Sequence, residues 1–336
     1  MHVLFVAPEF PDYQQRFVRA LKAVGAQVTG IGEAEPQALP RPIVELLDGY
    51  ERVSNVCDEG AMLDVVRRLQ ARSWVDRLEA TVEAHVLPIA HVREAAGIPG
   101  LSGKAAWLCR DKPTMKAYLR ERGVACAATR AVTGPEEALE LGREVGFPLV
   151  LKPRDGAGAS GASVVRHEGQ LRDWFGAHGG GSVAVEEWVS GHEGFYDTLT
   201  VGGEVHHEFV SHYYPNVLEA MRERWISPQI VVTNRLDQHG YDEVKELGRR
   251  VVSLLEISTS ATHMEWFFGP KGLRFSEIGA RPPGVNQWDL YCAANDLDLY
   301  REWADAIVHG RTWGTASRSH AAGIIAADAF MTEADI

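Results

Sequence analysis

The first hundred residues alternate short apolar runs with segments of helical periodicity. Residues 3–7 are a continuous apolar run, which is typical of a buried strand. Between Pro11 and Val24, apolar side chains recur at three- and four-residue spacing, as on one face of a helix. Residues 27–31 form a second strand-like run, and residues 63–77 have a further helical pattern. This order predicts an α/β unit with a βαβ start and a parallel sheet.

Beyond residue 100 the pattern shifts to helices that are followed by paired strands. Asp111 with Pro113 two positions later predicts a helix start, because Asp caps helices and proline is tolerated in their first turn. Residues 147–152 predict a strand. Further on, two alternating runs flank the pair Gly202-Gly203 and predict an antiparallel hairpin.

Composition limits the class of protein. The 336 residues are 45% hydrophobic and 24% charged, which excludes a disordered or fibrous chain. The net charge of −12 disfavours nucleic acid and anionic membranes as partners. The four cysteines are far apart and predict neither a zinc site nor a disulfide framework. We therefore expect a cytoplasmic globular enzyme.

Lys152 is the first candidate for chemistry. It ends an apolar strand in a chain with only seven lysines, and a loop of Gly, Ala and Ser follows at residues 155–163. Backbone N–H groups of such a loop can bind phosphate oxygens, and a nearby ammonium group adds positive charge. Taken alone, the pattern also fits an ordinary surface loop.

Glu265 and Glu277 are the second candidate. They lie in two strand-like runs, residues 262–268 and 273–278, that a three-residue turn at 270–272 would pair. That register places the two carboxylates opposite each other, with Cβ atoms about 5 Å apart. Opposed carboxylates need a cation between them, and their hard oxygens suit Mg²⁺. The alternative is a solvent-facing hairpin with scattered acidic residues.

Together these motifs resemble the ATP-grasp family, from about Lys112 to Arg281. Asp111-Lys112 and the strand that ends in Lys152-Pro153 resemble the family's two lysine motifs, the second of which contacts the α- and β-phosphates. The loop resembles the flap over the phosphates, and Glu186-Glu187-Trp188-Val189 resembles the hinge that binds adenine. The resemblance assigns ATP to Lys112, Lys152, Gly156, Gly158, Ser160, Gly161, Glu186, Glu187, Val189 and, through the ribose, Glu193.

The same resemblance assigns the metal and the catalytic groups. Glu265 and Glu277 hold the place of the Mg²⁺ (or Mn²⁺) ligands. Lys152 and Arg281 are the catalytic residues, and Arg281 faces the acceptor and the developing oxyanion. The segments around these residues are most similar to the carboxylate–amine ligase branch, which includes L-amino-acid ligases and carnosine synthase. Gly279 departs from the family's usual Asn, although Gly-Ala-Arg is a familiar variant in that branch.

The resemblance implies an N-terminal α/β domain followed by a two-lobed ATP-grasp unit with antiparallel sheets. The predicted parts are residues 1–100, a central lobe at 101–180, a C-terminal lobe with the metal site at 181–312, and an extension at 313–336. Related ligases usually continue beyond this point. A homodimer is one assembly that the sequence allows.

The implied reaction joins a small carboxylate to an amine through an acylphosphate, with release of ADP and phosphate. The resemblance to the carboxylate–amine ligase branch implies that the substrates are amino acids. Three rivals share the motifs: a biotin-carboxylase- or formate-using enzyme, a non-catalytic ATP-binding sensor, and a phosphotransferase. His263 would orient either a substrate or a metal-ligating Glu. Asn286 and Gln287 are further candidates for amino-acid binding.

Overall fold

The structure is a computed structural model that describes residues 1–154, 161–178, 182–222 and 226–325. Its strands are β1 (His2–Val6), β2 (Gln27–Gly32), β3 (Gly49–Arg52), β4 (Arg77–Glu79), β5 (Thr129–Val132), β6 (Leu149–Pro153), β7 (Ser163–Val165), β8 (Val183–Glu187), β9 (His192–Val201), β10 (Glu204–Tyr214), β11 (Gln229–Val232), β12 (Ser260–Gly269), β13 (Gly272–Gly279) and β14 (Ala322–Ile325). Its helices are α1 (Gln14–Ala23), α2 (Arg41–Leu46), α3 (Glu59–Gln70), α4 (Glu83–Ala96), α5 (Gly103–Arg110), α6 (Lys112–Glu121), α7 (Pro135–Val145), α8 (Glu168–His178), α9 (Val217–Arg222), α10 (Asp242–Leu254), α11 (Gln287–Asn295) and α12 (Leu299–His309).

The N-terminal domain contains a parallel sheet with strand order β3-β2-β1-β4. This confirms the predicted βαβ start and parallel sheet. The helix predicted over residues 63–77 is wrong at both ends. Helix α3 begins at Glu59, four residues earlier than predicted, because Asp58 caps it by accepting a hydrogen bond from the Ala61 N–H. The helix ends at Gln70, and Arg77 already belongs to β4. The fully buried Leu78 pairs with β1, so tertiary pairing decides the conformation there.

The central lobe contains a small antiparallel sheet of order β5-β8-β6-β7, and helices α7 and α8 pack on it. Strand β6 carries Lys152, and its neighbour β8 carries Glu186 and Glu187. Because β8 pairs with β6, this sheet extends one strand beyond residue 180, where the sequence suggested a boundary.

The C-terminal lobe contains a sheet of order β13-β12-β9-β10-β11-β14, antiparallel throughout. Alternate side chains of β9 enter two cores: Phe195 and Leu199 pack with α1 and α12, and Tyr196 packs with α6 and α10. The predicted mixed fold, with a parallel N-terminal sheet and antiparallel sheets after it, is confirmed. No helix in the described part of the chain is long and apolar enough to span a membrane.

Candidate functional site

Two lysines from different elements each lie near a buried carboxylate. Asp111 caps α6 by accepting a hydrogen bond from the Thr114 N–H, which fixes Lys112 in the first turn as predicted. Lys112 Nζ lies 3.4 Å from Glu277 Oε2, and Lys152 Nζ lies 3.9 Å from Glu186 Oε2. Burial lowers the pKa of Lys152, but the surrounding carboxylates, Glu186 first, outweigh burial and raise that pKa above its usual value. The ammonium group therefore stays charged.

Glu265 and Glu277 are direct partners across β12 and β13, as the sequence predicted, but the turn is different. Gly269 pairs with Gly272, so the turn has two residues instead of three. A two-residue turn alone would place Glu265 opposite Ser276. A register shift next to Glu265 inserts one extra residue into β13 and brings Glu277 opposite. A β-bulge therefore creates the carboxylate pair.

The buried carboxyl groups near the Glu265–Glu277 pair differ in the direction of their pKa shifts. Burial, with added repulsion from Glu277 and Glu193, raises the pKa of Glu265 to about 8. Burial also raises the pKa of Glu277, but the ammonium groups of Lys112 and Lys152 outweigh it and hold that pKa below its usual value. Glu193 resembles Glu265: burial raises its pKa to about 7. In the protein alone, the pKa values of the two opposed carboxyl groups are therefore shifted in opposite directions.

These carboxylates fit a divalent cation. Glu277 Oε2 is a buried, charged oxygen 3.4 Å from Lys112 Nζ, and a carboxylate oxygen has lone pairs for more than one partner. The donors are hard carboxylate oxygens, which Mg²⁺ prefers, and a cation between them would remove the repulsion that raises the pKa of Glu265. In the described ranges no three His, Cys, Asp or Glu side chains form a metal cluster. Phosphate oxygens and water would complete the coordination.

Lys116 was missed by the sequence analysis. It is the most deeply buried lysine of the site, 1% exposed, and its Nζ donates a hydrogen bond to Glu186 Oε1. Burial raises the pKa of Glu186, but Lys116 and Lys152 outweigh burial and keep that pKa below its usual value. The signal in the sequence was the spacing: Lys116 follows Lys112 by one helical turn and shares its face of α6.

The hinge segment lies along a cleft of about 630 Å³, part of which is open solvent. Among its lining residues are Lys152, Glu186, Glu187, Val189, Glu193 and Glu265. The Glu187 carboxylate accepts hydrogen bonds from the Ala128 N–H and Lys271 Nζ. Glu193 is 4% exposed, and its Oε2 accepts a hydrogen bond from the Val217 N–H at 2.7 Å. The hinge and the acid predicted for ribose therefore lie in one cleft with Lys152.

The glycine-rich loop is only partly described. Gly156, Gly158 and Ser160 lie outside the described residues. Gly161, at the end of the loop, is exposed and has a φ of 69°, a conformation that favours glycine. The predicted role of these four residues at the phosphates stays a prediction.

Arg281 lies beyond the end of β13 and is paired. Its Nε donates a hydrogen bond of 2.8 Å to Glu83 Oε2, and its Nη1 donates one of 2.7 Å to the Pro282 carbonyl. In the part of the chain that the structure describes, Arg281 Nη2 has no hydrogen-bond partner. The predicted role of Arg281 at the acceptor stays a prediction.

His263 lies on the same face of β12 as Glu265 and belongs to a buried polar network. Its Nδ1 lies 2.7 Å from Asp197 Oδ1, and Asp197 Oδ2 accepts hydrogen bonds from Tyr291 and Gln287. Burial lowers the pKa of His263, but Asp197 outweighs it and raises that pKa above its usual value. Gln287, a candidate for amino-acid binding, is 1% exposed and is engaged in this network.

Comparison with known proteins identifies related chains. Residues 117–295, more than half of the chain, match the model of the ATP-grasp domain. Over 241 residues the chain is 25% identical to the L-arginine-specific L-amino acid ligase of Bacillus subtilis, a match that covers 69% of this chain and 57% of that protein. The chain thus spans little more than half the length of this relative.

Solved structures show the same fold. The L-amino acid ligase of Bacillus licheniformis has a TM-score of 0.73 at 18% identity, over 91% of this chain and 74% of that chain. The biotin carboxylase domain of a Hydrogenobacter thermophilus 2-oxoglutarate carboxylase, crystallised with MgADP and bicarbonate, has a TM-score of 0.71 at 20% identity. That match covers 95% of this chain and 72% of the other.

Proposed function

Because the chain belongs to the ATP-grasp family, we propose that it is an ATP- and Mg²⁺-dependent carboxylate–amine ligase. It joins a small carboxylate, an amino acid, to an amine and releases ADP and phosphate. The observation that carries the proposal is the direct opposition of Glu265 and Glu277 beside Lys112 and Lys152. The Bacillus subtilis relative is named for an L-amino acid ligase activity, which supports amino acids as the substrate class.

The nucleotide is held by charge and position. Lys152 stays protonated under its carboxylate neighbours, so it offers a full positive charge to the phosphates. Lys112, held in the first turn of α6, adds a second charge on the side of Glu277. Glu265 and Glu277 would hold Mg²⁺, which would supply further positive charge toward the phosphate oxygens. Phosphoryl transfer depends mainly on such positioning and neutralisation.

The first step transfers the γ-phosphoryl group to the acid. A carboxylate oxygen forms a bond to the γ-phosphorus while the bond between that phosphorus and the β–γ bridging oxygen breaks, and ADP leaves. Lys152 binds the α- and β-phosphates in this arrangement, which leaves the γ-phosphate at the end of the cleft where Glu265 and Glu277 lie. The product is an acylphosphate.

The second step forms the amide. The amine nitrogen forms a bond to the acyl carbon, the carbon–oxygen bond to the phosphate breaks, and the nitrogen loses its proton. The Nη2 edge of Arg281 stabilises the oxyanion as the amine adds, since its other edges are already held by Glu83 and the Pro282 carbonyl.

The test is a screen of ADP release with pairs of amino acids and small carboxylates, in the presence of ATP and Mg²⁺. We expect ADP release that needs both an acid and an amine. Hydroxylamine should replace the amine and yield a hydroxamate. A Glu277→Gln variant, which loses a metal-binding charge, should lose this activity, whereas Glu45→Gln in an exposed ion pair should keep it.

Other outcomes would contradict the proposal and favour its rivals. ADP release driven by bicarbonate or formate would favour an enzyme of the carboxylase or formate type. ATP binding with no acceptor-dependent turnover would favour a sensor. A phosphorylated product formed without any amine would favour a phosphotransferase.

A further inference from the structure

Gly279 lies against the carboxylate of a distant residue. A methyl carbon added at Gly279 would lie 2.9 Å from Glu83 Oε2 and 3.6 Å from Arg281 Cγ. The backbone of Gly279 is outside the left-handed region, so its conformation does not require glycine. An alanine at this position would therefore have to displace the Glu83 carboxylate.

Glu83 reaches this point from the N-terminal domain. It is the first residue of α4, a few residues beyond the end of β4, and its side chain is 17% exposed. Its Oε2 accepts the 2.8 Å hydrogen bond from Arg281 Nε, and its Oε1 lies 3.6 Å from Arg110 Nη1. Both oxygens of the carboxylate therefore face guanidinium groups, and the Arg281 side chain is itself only 11% exposed.

We propose that Glu83 is a positioning residue for Arg281, and that Gly279 provides the space for the Glu83 carboxylate. Glu83 fixes the Nε edge of the guanidinium group, and the Pro282 carbonyl fixes Nη1. Because the guanidinium group is rigid and planar, holding Nε and Nη1 also fixes the direction in which Nη2 points. The N-terminal domain thereby sets the orientation of a side chain that follows the metal-binding strand. This inference rests on the role proposed for Arg281.

The experiment compares two variants that disturb the pair differently. Glu83→Gln removes the charge, and Gly279→Ala displaces the carboxylate, which is the flexible end of its side chain, with little backbone strain. The conservative Glu83→Asp keeps the charge. The matched control is Gly176→Ala on α8, where an added methyl group meets no atom within 4 Å.

The first readout does not depend on the reaction. Phenylglyoxal modifies accessible arginines, and the rate at Arg281 is followed by peptide mass spectrometry. Glu83→Gln and Gly279→Ala should raise this rate by about tenfold, a factor typical of a lost charge-assisted hydrogen bond. Gly176→Ala should leave it unchanged. An unchanged rate in both test variants would overturn the proposal, whether or not the ligase function holds.

The second readout separates positioning from a structural role. We expect kcat for the acid and amine pair to fall roughly 10- to 100-fold in Glu83→Gln, since small misplacement of a group at the reacting atoms has effects of that size. Glu83→Asp should retain more activity, and the KM for ATP should not change. If ATP affinity and melting temperature both decreased in Glu83→Gln, this would contradict a positioning role of Glu83 and favour a structural one. No pair-dependent turnover in the unmodified protein would reject the proposed function alone.

Discussion

The site has two halves, a proposed nucleotide half around Lys152 and a proposed acceptor half around Arg281. The two halves hold their charged groups in different ways. In the nucleotide half, the ammonium groups of Lys112, Lys116 and Lys152 come from one helix and one strand and face carboxylates on β13 and β8, which belong to two different sheets. In the proposed acceptor half, His263 is held by Asp197, its direct partner on the adjacent strand β9, whereas Arg281 is held by Glu83 of the N-terminal domain. The nucleotide half therefore depends on how the central and C-terminal sheets pack around α6, whereas in the acceptor half the Arg281 side chain depends on the packing of the N-terminal domain.

The largest effect is expected at Lys152, in the nucleotide half. Lys152→Ala removes an ammonium group that neighbouring carboxylates, Glu186 first, keep protonated, and it should abolish turnover. ATP binding should weaken by about 2–3 kcal/mol, as expected for a lost charged contact. Calorimetric titration with ATP measures this. Lys104→Ala, at an exposed lysine, is the control and should bind ATP normally; equal affinities in the two variants would remove Lys152 from the nucleotide site.

A substitution of Lys116 tests whether the nucleotide half also contributes to the stability of the fold. Lys116→Met leaves the buried Glu186 carboxylate without its nearest cation, so the free energy of unfolding should fall by about 3–5 kcal/mol. Denaturant unfolding measures the change. Removing the exposed partner in Arg41→Ala should cost at most about 1 kcal/mol. A Lys116 variant as stable as the Arg41 variant would mean that the buried pair contributes little.

In the acceptor half, Tyr291→Phe removes a hydrogen bond to the buried Asp197 and should destabilise the protein by about 1–3 kcal/mol. Because the same carboxylate orients His263, turnover should fall while ATP affinity stays constant. Unfolding and calorimetry on one variant measure both quantities. A loss of ATP affinity would show that the two halves are not independent.

The parts of the site that the sequence predicted are those that carry a local sequence signal. Lys112 and Lys152 carried local signals, a helix cap and a strand end, and the structure places both beside the predicted carboxylates. The opposition of Glu265 and Glu277 was predicted with the wrong turn, since periodicity does not reveal a bulge. Glu83 could not be predicted to contact Arg281, because 198 residues separate them and only packing brings them together.

The last prediction is a pH dependence in the nucleotide half. Burial raises the pKa of Glu193 to about 7, so this group favours folding when it is protonated. Its contribution is complete below the ordinary carboxyl pKa and is lost as the pH rises through about 7. Without nucleotide, the free energy of unfolding should therefore decline between about pH 5 and 8, and Glu193→Gln should decline less steeply. Identical slopes would contradict the raised pKa.

The most direct test of the whole account follows oxygen from the acid. An acid labelled with ¹⁸O in its carboxylate is incubated with ATP, Mg²⁺ and the amine, and the products are separated by chromatography and mass spectrometry. If the carboxylate attacks the γ-phosphorus, each ADP formed is accompanied by one phosphate that carries one ¹⁸O atom, and by one amide. AMP as the nucleotide product, or phosphate without the label, would contradict the acylphosphate path.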